Sequence, residues 1–373
     1  MVEFSTYESS SCTVWSSLFI SGTGQKEYHL IMRPDCGGGF PEQYFALRKA
    51  LGEFIEGEGS VRPIFMRWFL SDASNQLALV EDEDCAVSFI EQPPLDGTKV
   101  ALWVWLAEDV LPELDKDGMW TVDFCGVQHI WTSGNCSSDG DSESQMREIF
   151  NSYSEKLNSR GMSLKDNCLR TWLFVQNIDV NYAGVVKGRR ECFENEGLTT
   201  DSHYIASTGI AGRIADPAVR VVMDAYSVNG VSEESIRFLK APSHMNPTHE
   251  YGVTFERGTA VNYSDRKHVF ISGTASINNK GEVVHPGDVS RQCIRMIENI
   301  KALLQEAECS YDDVMQMLVY LRDISDYRTV SKLVKERFPE HPIVFLLAPV
   351  CRPGWLVEME CMAVKSISDG RYP

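Results

Sequence analysis

Near the C-terminus, Leu356-Val357-Glu358-Met359-Glu360 sets two carboxylates two residues apart in an apolar run. In a strand that spacing puts both on one face and turns Met359 and Cys361 to the other. A carboxyl withdrawn from water keeps its proton to higher pH, so it can protonate a vinyl ether or enamine carbon and then activate water. Glu358 and Glu360 are therefore the candidate catalytic residues. An anionic substrate needs cations to hold it. Arg352 lies in a turn held by Pro353 and Gly354 beside Trp355, where its fork can meet a carboxylate, or stack on Trp355 at the surface. Arg170 interrupts an apolar strand and needs a partner, either a ligand or a buried carboxylate. Tyr182 and Arg189, seven apart, share one face of a helix; Arg189 is open to two readings, substrate clamp or ion-pair partner of Glu191 or Glu194. Ser207-Thr208-Gly209 ends a strand where hydroxyl and N–H groups can hold a carboxylate, and Thr274 and Ala275 in Ser272–Ser276 offer the same. Cys351 completes the set of binding candidates, with no histidine beside it in sequence to make it a nucleophile.

Other chemistries find little support. His244 and His249 lack a cluster of further ligands, so no metal site is expected, and Gly37-Gly38-Gly39 lacks the lysine of a phosphate loop. Eleven cysteines without a C-x-x-C pair suit reduced thiols. No cofactor is expected. With 35 Lys+Arg against 53 Asp+Glu the net charge is −18, which repels nucleic acid and anionic membranes. No apolar run approaches the ~20 residues of a membrane helix, and the N-terminus lacks a signal-peptide pattern; a cytoplasmic location is expected. The expected partner is a small carboxylate.

The elements that position these residues follow an internal repeat. Phe19-Ile20-Ser21-Gly22, Trp131-Thr132-Ser133-Gly134 and Phe270-Ile271-Ser272-Gly273 look alike, and a helix, a strand, a second helix and a closing hairpin are expected after each. In the third copy the pattern predicts a helix over 288–307 capped by Asp288, a strand over 314–321, a helix over 327–338, and a hairpin of 343–350 with 356–364. The second predicts helices over 142–158 and 182–196 around a strand at 169–175. The first predicts a helix over 42–56 and a strand over 64–70, and is degenerate at its second helix. The expected order, β-β-α-β-α-β-β, makes an α+β unit with helices on one sheet face. Three units, 1–115, 116–240 and 241–373, can bury their open faces around one axis and leave clefts between them.

The run from Val269-Phe270-Ile271-Ser272-Gly273 through Tyr320-Leu321-Arg322-Asp323 to Leu356–Glu360 resembles the Rid superfamily, also called YjgF or L-PSP. That resemblance implies a chorismate-mutase-like α+β fold, here a pseudo-trimer in one chain, as a monomer or a further homo-oligomer, with small-molecule sites in the clefts. A narrower resemblance to the chorismatases rests on Arg170-Thr171-Trp172, Tyr182 with Arg189 and Phe193, Ala206–Ile210 and the terminal Glu358-Met359-Glu360. It implies hydrolysis that releases pyruvate. Imine-deaminating Rid proteins carry an arginine about fifteen residues before the first glutamate, where this chain has Ile343. Enamine or imine deamination and non-catalytic metabolite binding are the alternatives; the charge disfavours the endoribonuclease or translation-inhibitor role attached to some relatives.

Overall fold

The computed structural model describes residues 2–367, whose strands form three six-stranded sheets. The first unit comprises β1 (Glu3–Ser9), β2 (Cys12–Ile20), β3 (Lys26–Pro34), α1 (Phe40–Glu58), β4 (Val61–Leu70), α2 (Ala73–Gln76), β5 (Ala86–Glu91) and β6 (Val100–Glu108). The second comprises β7 (Glu113–Leu114), β8 (Trp120–Phe124), β9 (Val127–Cys136), α3 (Ser142–Asn158), α4 (Leu164–Asn167), β10 (Cys168–Val175), α5 (Ile178–Asn195), β11 (Ala206–Ala211) and β12 (Val221–Asn229). The third comprises β13 (Ile236–Leu239), β14 (Gly258–Asn262), β15 (Arg266–Ala275), α6 (Val289–Glu306), β16 (Val314–Leu321), α7 (Tyr327–Arg337), β17 (Ile343–Leu347) and β18 (Val357–Ser366).

All three sheets have one topology: β1-β2-β3-β6-β4-β5, β7-β8-β9-β12-β10-β11 and β13-β14-β15-β18-β16-β17. The last pair of each order is parallel, which requires a crossover, supplied by α5 and α7 and shortened to α2 in the first unit. The long helices form where an apolar stripe meets a cap. Asp141 and Asp288 accept the Ser144 and Arg291 backbone N–H groups, and α6 buries Cys293, Met296, Ile300, Leu303 and Leu304 against its sheet.

Three expectations need correction. Each unit opens with three strands, not two. Phe19–Gly22 closes β2, whereas Trp131–Gly134 and Phe270–Gly273 lie in β9 and β15, whose counterpart is β3; a short aromatic–Ser-Gly pattern occurred one strand early. The segments 343–350 and 356–364 do not pair as a hairpin, because β16 lies between β17 and β18. A smaller difference is that α5 begins at Ile178, a turn before Tyr182.

The sheets turn their helix-free faces toward one another. Trp105 of β6, Trp131 of β9 and Phe270 of β15 meet there, with Trp105 edge-on to Trp131 at 5.5 Å and 6.3 Å from Phe270 between ring centroids. Three buried ion pairs cross the three seams in turn: Arg67–Asp224 at 2.9 Å, Arg170–Glu360 at 2.7 Å and Arg266–Glu27 at 2.9 Å. Each joins one unit to the next, so the ring of units closes on itself.

Candidate active site

The seam between the second and third units runs along β11 and β15, with bridges Ala206–Glu256 and Ile210–Val350 stitching its flanks. It encloses a cavity of about 30 Å³. The second unit supplies Tyr182 and Arg189 from α5 and Ser207 and Gly209 from β11. The third supplies Gly273 and Ala275 from β15, Glu358 from β18, and Cys351, Arg352 and Trp355 from the loop before it. Tyr251 and Arg257, from the segment before β14, complete the polar lining.

Glu358 is fixed by the ladder, where β18 pairs it with Ala275 on one side and Tyr320 on the other. Burial pushes its carboxyl up to about 8, the charge of Glu360 adds to the rise, and Arg257 and Arg170 oppose it. At neutral pH it is therefore mostly a neutral acid with a proton to give. Space for it comes from Gly273, where a Cβ would stand 2.2 Å from Glu358 Oε1 and 3.0 Å from Thr208 Cγ2. Gly209 does the same for Tyr182, whose Cε2 would lie 2.9 Å from an added Cβ.

Arg189 reaches the seam because α5 lies tightly on α3. A Cβ at Gly184 would meet the Ser142 hydroxyl at 2.3 Å, and one at Gly188 the Glu143 carbonyl at 2.5 Å. Arg189 is buried, and its Nε and Nη2 have no hydrogen-bond partner among the described residues. Glu191 is taken by Arg147 at 2.8 Å, which removes one ion-pair reading of Arg189. A buried guanidinium with free donors is a place for an anion. Arg352 lines the cavity, lies 4.6 Å from the Tyr251 ring centroid and 5.3 Å from that of Trp355, and donates to the Tyr251 carbonyl at 3.0 Å. Burial pushes the Cys351 thiol up to about 12, so it stays protonated and is a wall, not a nucleophile.

Four candidates lie off the cavity. Glu360 shares the strand face of Glu358 but is consumed by the structure: its Oε2 accepts from Arg170 at 2.7 Å and from the Thr208 hydroxyl, and its Oε1 accepts from Trp172 Nε1 at 2.9 Å. Arg170 and Thr208 are thus partners of Glu360, and the Thr274 hydroxyl donates to the Ser272 carbonyl at 2.8 Å. Ser207 lines the cavity with its hydroxyl already accepting from Thr171 and its N–H already given to Ser272. Sequence reasoning missed Tyr251 and Arg257, and within Ser272–Ser276 it singled out Thr274 and Ala275 where Gly273 also lines the cavity. The first two stand in a segment without periodicity, whereas the Ser-Gly step of β15 did carry a signal for Gly273. The arginine sought at 343 belongs to the wrong seam. Thr171 and Met317, each four residues before the end of its strand, pair with Ser207 and Ile343, so the counterpart of Ile343 beside Glu358 is Ser207. Among the described residues no cluster of His, Cys, Asp and Glu could hold a metal ion, and no helix is long and apolar enough to cross a membrane.

The family model "Endoribonuclease L-PSP" matches residues 257–365. A RutC family protein of Pyrococcus abyssi is 38% identical over 100 residues, 26% of this chain and 78% of that protein. The 3-hydroxybenzoate synthase of Streptomyces hygroscopicus is 27% identical over 281 residues, 69% of this chain and 79% of that protein. A chorismatase crystal structure superposes with a TM-score of 0.64 at 18% identity, covering 82% of this chain and 93% of that one. The fold is that of a three-unit, chorismatase-like α+β protein. The chain belongs to the RutC, or endoribonuclease L-PSP, family within the Rid superfamily.

Proposed function

We propose that this protein hydrolyses a carboxylated vinyl ether, as a chorismatase does, at the seam between its second and third units. The observation that carries the reading is Glu358: a buried carboxylic acid still protonated at neutral pH, in the same cavity as a buried arginine with unused donors. Arg189 holds the substrate carboxylate and Arg352 stands beside it on the lining. Glu358 gives its proton to the terminal methylene carbon of the enol ether, and the adjacent carbon becomes an oxocarbenium ion. The carboxylate left behind takes a proton from water as that water adds to the cation. The hemiketal then breaks its bond to the ring oxygen, its hydroxyl proton passing to that oxygen, which leaves as an alcohol, and the other product is pyruvate. One water is consumed and no electrons are exchanged.

The cavity of about 30 Å³ has the size of a water site, so the substrate enters only when the lining parts. The backbone of the Tyr251 wall is held by Arg352 on the Tyr251 carbonyl and by Arg190 on the Gly252 carbonyl at 2.5 Å, so entry there requires those two bonds to open. Deamination of an enamine would use the same proton donor. The similarity over 281 residues to a 3-hydroxybenzoate synthase favours the vinyl ether. The purified chain supplied separately with chorismate, isochorismate and a source of 2-aminoacrylate tests this. Pyruvate from a chorismate-type substrate without ammonia is expected; ammonia release from the enamine alone, or turnover of none, defeats it.

A further inference from the structure

The seam between the third and first units encloses a second cavity, of about 210 Å³. Register shows that it is the first site carried one unit round the axis. Lys335 stands fourteen residues after Leu321, the end of β16, as Arg189 stands fourteen after Val175, the end of β10. Ala101 follows Val100, the partner of Leu70, as Glu358 follows Val357, the partner of Leu321. Ile343 and Phe345 take the places of Ser207 and Gly209 by the parallel pairing. All four of these residues line the second cavity, as their counterparts line the first.

The exchanges change what the site can do. Ala101 removes the acid. Ile343 and Phe345 replace a hydroxyl and a bare backbone with apolar wall, and Trp15 adds a further ring. A cation is kept: Lys335 pairs with no carboxylate among the described residues, and its Nζ lies 5.9 Å from the Phe345 ring centroid. The other cation in the lining, Arg33, is already shared between Asp35 at 2.5 Å and Asp96 at 4.0 Å. Asp35 and the lining residue Asp96 together outweigh Arg33, so Lys335 is the cation in the described lining left for the carboxylate of a planar monoanion to pair with beside the aromatic walls. An apolar cavity of roughly 150 Å³ accepts a benzene ring, so this one has room for a ring and its carboxylate.

We infer that the seam between the third and first units is a second, non-catalytic ligand site that binds a small aromatic monocarboxylate through Lys335. The inference does not depend on turnover at Glu358. Calorimetric titration of the full chain with benzoate and with neutral benzamide tests it. Saturable benzoate binding below about 10 mM is expected, with benzamide at least about tenfold weaker. Lys335→Glu weakens benzoate by about tenfold or more, Lys335→Arg keeps it within about threefold, and Arg189→Met, at the other seam, leaves it unchanged. Lys335 is exposed, so these substitutions spare the core. Absence of saturable binding, equal binding of benzamide, or loss on Arg189→Met with retention in Lys335→Glu overturns the inference.

Discussion

Glu358 carries a thermodynamic cost that its chemistry explains. Its carboxyl titrates at about 8 in the folded chain against 4.5 for a free group. Between those values the folded state binds a proton that the unfolded state has lost, so stability falls as pH rises through the window. The loss is complete above pH 8 and on the order of a few kcal/mol at most. Glu358→Gln, neutral at every pH, removes it. Thermal melts of the two proteins are expected to differ little at pH 5 and increasingly in favour of the glutamine variant toward pH 9; a gap independent of pH contradicts a raised Glu358. The same variant should lose roughly 10²–10⁴-fold in kcat, the usual size of a general acid's contribution. Gly273 is required for space alone, since its φ is not among the left-handed ones. Gly273→Ala should drive the new methyl into the Glu358 carboxyl, costing about 1–3 kcal/mol of stability in urea titration and most of the activity.

At the scale of elements, α5 is the part whose placement decides whether Arg189 reaches the seam. Gly188→Ala pushes it off α3, and the account expects KM to rise about tenfold or more while the variant stays folded; an unchanged KM argues that Arg189 does not hold substrate. The strand 314–321 and the helix 142–158 were legible to the residue, because an apolar run or stripe coincided with turn and cap residues at both ends. Strand pairing was not. Whether 343–350 returns beside 356–364 or crosses over is decided by tertiary packing, and no local pattern in either segment records it. The site shows the same division. The types and spacing of Glu358, Tyr182 and Arg189 announced themselves, and the structure brings them together. Period two told that Glu360 shares a face with Glu358, but not that a strand from the neighbouring unit would bring Arg170 and Trp172 onto it. Counting back to residue 343 failed for a related reason: each seam takes its facing strand from another unit, so distance along one unit does not measure distance across a cleft.

In the whole molecule, the three arginine–carboxylate pairs link the units in a cycle, and each is buried. Breaking one strands a charge. Arg170→Met should cost about 3–5 kcal/mol in denaturant titration, whereas joint replacement of Arg170 and Glu360 by methionine should cost markedly less; equal losses would show that the arginine acts through packing alone. The ring leaves one seam with Glu358, one with Ala101 in the corresponding place, and a first unit whose second helix has shrunk to Ala73–Gln76. One seam in three that keeps this buried glutamate is the asymmetry a fused chain permits and a trimer of identical subunits does not. The most direct test of that claim is pyruvate release from chorismate by the full chain and by Glu358→Gln between pH 5 and 9. The account predicts a parent rate that falls as pH rises through about 8 and a variant reduced at least about a hundredfold throughout. A rate that climbs above pH 8, or a fully active variant, contradicts it.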